Sequence, residues 1–270
     1  MTGGSTRVFA ILGSPVSHSL SPAMHNAAFR ALGLDAVYVP LKVEATELGS
    51  VMRALALGGG GGNVTVPHKE QAALALDRPS ARAAGLKACN TFWGEGGFVA
   101  GENTDVDGIL DALDHLDTPR TAWLIAGTGG AARAAVAAAI IRGVAVAVRS
   151  RDPARRSTFE AWVRSQGGRV TAPGECDALI NATPLGLHGG DHLPLALEEA
   201  PHAQVALDMV YARGETVWIR QMRHEGLRAE DGRLMLVAQG AAAFRCWFPD
   251  EDPPVEVMRA AVNRALLEPR

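Results

Sequence analysis

The sequence predicts an α/β protein built in two parts, and three observations lead there. Short apolar strands alternate with segments of helical spacing from residue 7 onward, the pattern of helices laid on a largely parallel sheet. A glycine turn at 127–130 joins an apolar strand to an alanine-rich helix. The 270 residues exceed one average domain and suit two modest ones.

Taken in order, Arg7 to Gly13 reads as a short buried strand ended by Gly13-Ser14-Pro15. Pro22 to Leu32 reads as a helix, with Ser21 as N-cap, Pro22 at the first helical position and Gly33 past the end. Val37 to Val43 is a second strand, and Ala45 to Leu57 has helical spacing. Gly58 to Gly62 reads as a loose connector or mobile loop. Asn63 to Val66 is strand-like, and Pro67 blocks its continuation. A second unit starts near Asp105, which suits the N-cap of a helix carrying Ile109, Leu110 and Leu113. Ala122 to Ala126 (strand), Ala131 to Ile141 (helix), Gly143 (break) and Val144 to Val148 (strand) make one βαβ unit. Asp177 to Ala182 and Val205 to Val210 read as later parallel strands. Ala238 to Phe248 and Val255 to Leu267 are helical and suited to pack back on the first part.

Apolar residues make up 47 % and charged residues 20 %, an ordinary globular balance. A net charge of −3 offers no basic footprint for nucleic acid or an anionic membrane surface. No apolar run approaches the roughly 18 residues that span a bilayer, and Val8 to Leu12 is too short for a signal segment. Cys89, Cys176 and Cys246 lie far apart, so neither a disulfide framework nor a metal site is expected. The expectation is a soluble cytoplasmic protein. The 30 glycines point to tight turns and close backbone approaches.

Gly127-Thr128-Gly129-Gly130-Ala131-Ala132 follows a strand and opens a helix, a variant of the dinucleotide fingerprint. Glycines there let backbone approach a pyrophosphate, and the helix N-terminus supplies N–H groups and a positive dipole end. Residues 105–236 are therefore expected to be a Rossmann-type dinucleotide-binding domain. An NAD site usually places an acid about 20 residues on, at the ribose 2′-hydroxyl. Here the next strand ends Arg149-Ser150-Arg151-Asp152, with Arg155 following. Arginine forks suit a 2′-phosphate, so NADP is favoured, and Asp152 keeps NAD as the lesser reading.

Three clusters carry polar residues that strands and helices do not need: His18 to Pro22, Asn63 to Lys69, and Asn90-Thr91 with Glu102 to Asp105. Hydroxyls, amides, one lysine and one aspartate suit a small polyhydroxy substrate read through paired hydrogen bonds. With the motifs His18-Ser-Leu-Ser-Pro-Ala-Met-His-Asn26, Asn63-Val-Thr-Val-Pro-His-Lys69, Cys89-Asn-Thr91, Asn103-Thr-Asp105, the glycine turn, Ile180-Asn-Ala-Thr183, Asp208-Met-Val-Tyr211 and Met235-Leu-Val-Ala-Gln239, the chain resembles the shikimate dehydrogenase family over nearly its whole length.

The resemblance implies an N-terminal α/β substrate domain at 1–104, completed by C-terminal helices at 237–270, beside the Rossmann-type domain at 105–236, with the active-site cleft between them. It implies reversible NADPH-dependent reduction of 3-dehydroshikimate to shikimate in chorismate and aromatic amino-acid biosynthesis. Lys69 and Asp105 match the catalytic pair, Lys69 moving the proton and Asp105 orienting it. Ser19 and Ser21 match the residues that hold the substrate carboxylate. Thr65, Asn90 and Gln239 match hydroxyl-reading positions, and Tyr211 matches a residue that closes on substrate. Gly127, Gly129, Gly130, Ala131, Ser150, Arg151, Arg155, Thr183, Met209 and Gly232 match cofactor positions. No metal, membrane or nucleic-acid partner is implied, and the protein is expected as a monomer or homodimer.

Thr128, Ser150, Arg233 and Gly240 depart from the family pattern. Gly240 costs about 1 kcal/mol of helix propensity unless it makes room for substrate. His18, His25 and His68 read as turn or cap histidines, and Cys89 as packing. Two alternatives stay open: an NAD-dependent quinate/shikimate dehydrogenase, and a non-catalytic shikimate-binding regulator. Retention of Lys69 and Asp105 speaks against the regulator.

Overall fold

A computed structural model describes residues 3–119, 121–186 and 190–267. The chain forms two compact units, Met1–Thr104 with Val237–Arg270, and Asp105–Leu236.

The first unit runs β1 (Arg7–Gly13), α1 (Ser21–Ala31), β2 (Ala36–Lys42), α2 (Leu48–Leu57), β3 (Gly61–Val64), α3 (Lys69–Leu74), β4 (Arg78–Pro79), α4 (Ala81–Leu86), β5 (Thr91–Glu95) and β6 (Phe98–Glu102). Its six-stranded sheet has the order β2-β1-β3-β5-β6-β4. The β2-β1-β3 part is parallel, and β5 and β6 form an antiparallel hairpin joined to β3. Alternation along β1 sorts its side chains to the two faces. Ala10 and Leu12 pack with Leu48, Met52, Val64 and Phe92 under α2. Phe9, paired in register with Tyr38, goes to the opposite face. There it meets Phe29, Trp247 and Phe248, with ring centroids 4.9–5.5 Å apart.

The second unit runs α5 (Asp105–His115), β7 (Ala122–Ala126), α6 (Gly130–Arg142), β8 (Ala145–Arg149), α7 (Pro153–Ser165), β9 (Arg169–Val170), β10 (Ala178–Asn181), β11 (Val205–Asp208), α8 (Val217–His224) and β12 (Arg228–Glu230). All its strands are parallel, in the order β12-β11-β10-β7-β8-β9. Reading from β9, this is the doubly wound order 3-2-1-4-5-6, with its reversal between β7 and β10. The strands are short and apolar because both faces are covered. Helix α6 buries six of its alanine and valine positions. Helix α9 (Gly232–Trp247) starts in this unit and ends in the first, where α10 (Val255–Leu267) packs on α1.

Several expectations need correction. The glycine run is not a loose loop, for Gly61 and Gly62 are buried in β3. A Cβ on Gly62 would strike the Ala10 carbonyl, and one on Gly61 the Phe92 carbonyl. Strand β3 ends at Val64, and Thr65 to His68 is a turn closed by the His68 N–H on the Thr65 carbonyl at 2.9 Å. Ser21 is not the N-cap of α1. Leu20 holds that place, and its side chain makes no cap bond. Asp105 is likewise the first helical residue of α5 rather than a residue preceding it. Gly240 makes room for protein, since its missing Cβ leaves space for the Met24 and Met258 methyls.

His25 is a buried packing residue, not a cap or turn residue. It is fully buried on α1, stacked on Tyr38 at 4.6 Å, with neither ring nitrogen hydrogen-bonded. Burial pushes its pKa from 6.5 down to about 3. The unfolded chain takes up this proton near pH 6.5, whereas the folded chain resists it until about pH 3. Stability is therefore intact above pH 6.5 and is drained as pH falls from there toward 3. We expect His25→Phe to narrow the loss of melting temperature between about pH 7 and pH 5, the span in which the histidine penalty begins. Thermal unfolding of both proteins at each pH checks this, and identical slopes would refute it.

Candidate functional site

The carboxyl ends of β3 and β6 and the amino end of β5 bring Thr65 and Asn90 together beside Lys69. The Val64 N–H donates to the Asn90 carbonyl at 2.9 Å, and the Thr65 N–H to the Leu12 carbonyl at 2.9 Å. The Cys89 N–H donates to the Lys69 carbonyl at 2.8 Å, which ties the start of α3 to the segment carrying Asn90. Lys69 and Thr65 are half-buried there. His68 is buried, its Nε2 2.8 Å from the Val43 carbonyl.

The orientation of Asn90 follows from its partners. Its Oδ1 accepts the Thr104 N–H at 2.7 Å and the hydroxyls of Thr91 and Thr104, each at 3.2 Å. A backbone N–H cannot accept, so a flipped amide would set donor against donor. The amide nitrogen is thereby turned the other way, toward Gln239 Oε1 at 3.4 Å. Asn90 and Gln239 are both buried, and their mutual bond fixes which face of each amide is offered. On α1, the Ser21 N–H donates to Ser19 Oγ at 3.2 Å. That bond occupies a Ser19 lone pair and leaves its O–H free to donate elsewhere. The Ser21 hydroxyl thus escapes the capping duty expected of it, and Ser19 Oγ takes the first N–H of α1 instead.

Behind these residues lies a layer that sequence reasoning left unassigned. Asn63 sits in β3, and its Nδ2 donates to the Asn90 carbonyl at 3.1 Å and to Thr91 Oγ1 at 3.0 Å. Thr91 Oγ1 also lies 2.9 Å from Thr104 Oγ1. Asn63, Thr91 and Thr104 are all buried. A buried run of amides and hydroxyls in short strands was the signal for this layer, since such groups persist inside only when paired.

In the second unit, Asp105 opens α5 and is buried, one residue after Thr104. Gly127 has φ +112°, and a Cβ there would lie 2.9 Å from the Ala182 carbonyl and 3.3 Å from Thr183 Cγ2. The glycine turn and the loop after β10 thus meet where the strand order reverses, the place where open α/β sheets bind nucleotides. Gly129 is the N-cap of α6, with no side-chain cap, and a Cβ on it would meet nothing within 4 Å. The N–H groups of Gly130 and Ala131 stand in this uncapped first turn, an arrangement that fits a pyrophosphate. Thr183 is held by Asn181, whose Oδ1 accepts its N–H at 3.0 Å and its hydroxyl at 2.7 Å. Met209 lies against Gly232, where a Cβ would come within 2.6 Å of the Met209 carbonyl. Tyr211 is half-buried two residues further on.

Asp152 is spent as the N-cap of α7, accepting from the N–H groups of Ala154 at 2.9 Å and Arg155 at 3.3 Å. Ser150 Oγ accepts the Asp152 N–H at 3.3 Å. Arg149 pairs with Glu199 at 2.7 Å. Arg151 and Arg155 are exposed, and neither guanidinium forms an ion pair among the described residues. Two uncommitted arginines and a committed aspartate suit a 2′-phosphate better than a 2′-hydroxyl.

Sequence reasoning also missed Asp208. It is fully buried and accepts from Asn181 Nδ2 at 2.8 Å, the Val210 N–H at 3.0 Å and the Thr216 hydroxyl at 2.8 Å. The Val210 bond turns the chain, so β11 ends at Asp208 rather than at Val210. Three donors favour the carboxylate, but burial outweighs them, with nearby Asp231 adding to it, and the pKa rises from 3.8 to about 6. Because the folded value is raised, the linked stability is fully present below pH 3.8 and lost as pH rises through about 6. A carboxyl chemical-shift titration should place the Asp208 midpoint near 6, and a midpoint near 3.8 would contradict this balance.

The family model described as the shikimate dehydrogenase substrate binding domain matches residues 11–92. The one described as the shikimate 5'-dehydrogenase C-terminal domain matches residues 232–262. The chain is 42 % identical to shikimate dehydrogenase (NADP(+)) of Rubrobacter xylanophilus over 96 % of each. It is 39 % identical to the protein of that name from Methanothermobacter thermautotrophicus, over 98 % of this chain and 99 % of the relative. Among solved structures, shikimate 5-dehydrogenase from Thermus thermophilus, in complex with NADP(H) and shikimate, superposes with a TM-score of 0.84. That pair shares 36 % identity over 96 % of this chain and 99 % of the other.

Proposed function

Because this chain belongs to the shikimate dehydrogenase family, we propose that it catalyses the reversible NADPH-dependent reduction of 3-dehydroshikimate to shikimate. The observation that carries this is the buried polar layer of the first unit, which presents Asn90, Gln239 and Lys69 from adjoining strand and helix ends. A polyhydroxy acid is the kind of molecule such fixed donors discriminate, since an analogue lacking a hydroxyl leaves a buried group unpaired. The reading places the reaction in chorismate and aromatic amino-acid biosynthesis, in the cytoplasm, with the enzyme as a monomer or homodimer.

In this mechanism Ser19 donates to the substrate carboxylate, a stronger bond than one to a neutral acceptor, and Ser21 joins it by turning its single proton from the Tyr38 phenol oxygen to the carboxylate. Thr65, Asn90 and Gln239 read the ring hydroxyls, and Tyr211 covers the substrate. Bound NADPH supplies the hydride to the carbonyl carbon. Lys69 Nζ gives its proton to the carbonyl oxygen, which becomes the hydroxyl of shikimate, and takes it back in the reverse direction. Asp105 orients Lys69 and the reacting oxygen. The first-turn N–H groups of α6 receive the pyrophosphate, Arg151, Arg155 and Ser150 the 2′-phosphate, and Thr183, Met209 and Gly232 border the nicotinamide end.

The test is an assay of shikimate and quinate, each with NADP+ and NAD+, followed by absorbance of the reduced nicotinamide. Turnover of shikimate with NADP+ is expected, and turnover of quinate with NAD+ alone would overturn the reading. We expect Lys69→Ala to lower turnover by about 10²–10⁴-fold, the scale of lost general acid–base help, with NADP+ affinity unchanged by calorimetry. Full activity in that variant would remove Lys69 from the chemistry. Arg151→Ala should raise the NADP+ KM about tenfold, as expected for one bond to a charged partner, and leave the NAD+ KM unmoved. Equal weakening of both would show that Arg151 does not read the 2′-phosphate.

A further inference from the structure

Tyr38 is one of only two tyrosines in the chain, and the structure fixes it from every side. Its backbone is clamped by the Asn26 amide, which donates to the Tyr38 carbonyl at 2.8 Å and accepts its N–H at 2.9 Å. Its ring is 1 % exposed, stacked on His25 at 4.6 Å and set 6.0 Å from Trp247. Its O–H donates to Asn63 Oδ1 at 2.7 Å, and the Ser21 hydroxyl meets the same phenol oxygen. Burial holds the phenol pKa well above its usual value, so the group stays a donor.

Packing alone does not call for this hydroxyl. A phenylalanine would fill the same space among His25, Phe9 and Trp247, without a polar atom to satisfy. What the hydroxyl adds is a donor for a buried oxygen and a fixed place for it. The Asn90 carbonyl can only accept, so it turns the Asn63 nitrogen toward itself and Thr91 Oγ1, and the Asn63 Oδ1 left on the other side is held by Tyr38. Thr91 then donates to Asn90 Oδ1, and Asn90 to Gln239. One chain of bonds thus runs from the helix that carries Ser21 to the two amides that read the substrate.

We propose that Tyr38 is a positioning residue for substrate recognition, resting on the shikimate reading above: its buried hydroxyl holds Ser21 on α1 and Asn63 on β3 in one arrangement. It acts through these neighbours. Without it, Asn63 Oδ1 is left buried without its donor while the Asn63 nitrogen stays on the Asn90 carbonyl, and Ser21 loses its lateral partner.

The experiment compares wild type, Tyr38→Phe, Ser21→Ala, their double variant and Thr91→Val, the last breaking the same chain from its far end. Steady-state kinetics with shikimate and NADP+ are joined to calorimetric shikimate binding and melting curves. The expected result for Tyr38→Phe is a shikimate KM and Kd raised about tenfold, the scale of one lost buried bond, with kcat and the NADP+ KM within about threefold. Adding Tyr38→Phe to Ser21→Ala should worsen the shikimate KM by less than about threefold, because the two act as one unit. A folded Tyr38→Phe with unchanged shikimate KM, or full additivity with Ser21→Ala, would overturn the proposal. If Tyr38→Phe does not fold, Thr91→Val decides: a raised shikimate KM supports it, and an unchanged one overturns it. Wild type that binds NADP+ but neither binds nor turns over shikimate would remove the substrate assignment, and this proposal with it.

Discussion

The orientation of one amide governs the substrate end of this protein. Asn90 Oδ1 is committed to the Thr104 N–H and to two threonine hydroxyls. Because a backbone donor cannot reverse its role, the Asn90 amide has one orientation, and the Asn90 carbonyl, which can only accept, fixes that of Asn63 in the same way. Asn63 must give its nitrogen to Thr91, Tyr38 must donate to Asn63, and Gln239 must accept from Asn90. The same bond reaches the second unit by chain continuity, for Asp105 is the next residue after Thr104. A site that distinguishes hydroxyls by position needs donors that cannot wander. Burial enforces that here, since a flipped Asn90 or Asn63 amide strands a polar group without water.

The nucleotide-binding unit solves a different problem. Its glycine turn removes side chains where backbone must come close, and its α6 N-terminus is left uncapped. An uncapped terminus costs stability in an isolated helix, so the omission is informative where α7, in the same unit, is capped by Asp152. Asp208 shows the opposite bargain, a carboxylate sunk among three donors to hold the loops after β10 and β11. Its raised pKa records that three hydrogen bonds do not fully replace water around a buried charge.

Much of this was legible in the sequence where the determinants are local. The βαβ unit, the glycine turn and the final helices follow from periodicity and from residues with restricted backbone preferences. The fold class likewise follows from the alternation of strands and helices. The glycine run at 58–62 was misread because its cause is distant: Gly62 is small because Ala10 in β1 lies against it. Ser21 before Pro22 matches a capping pattern, yet Leu20 takes that position and the serine turns inward. The layer of Asn63, Thr91 and Tyr38 eluded the sequence because hydrogen bonds 25 or 28 residues apart leave no spacing to read. Asp208 eluded it for the same reason, its partners being Asn181 and Thr216.

The capping role of Asp152 bears on how this fold could change its nucleotide. The residue stands where an NAD-reading acid would be sought, yet its carboxylate already closes the first turn of α7. A lineage drifting toward NAD could not simply recruit it. Turning that side chain outward would fray the helix that carries Arg155, coupling cofactor preference to folding in a single step. The accessible route runs through position 150 or 151, where an acid could be introduced while the cap stays in place. Under the proposed function, nucleotide choice would fall to the residues beside the cap, so that it and helix integrity could each vary without the other.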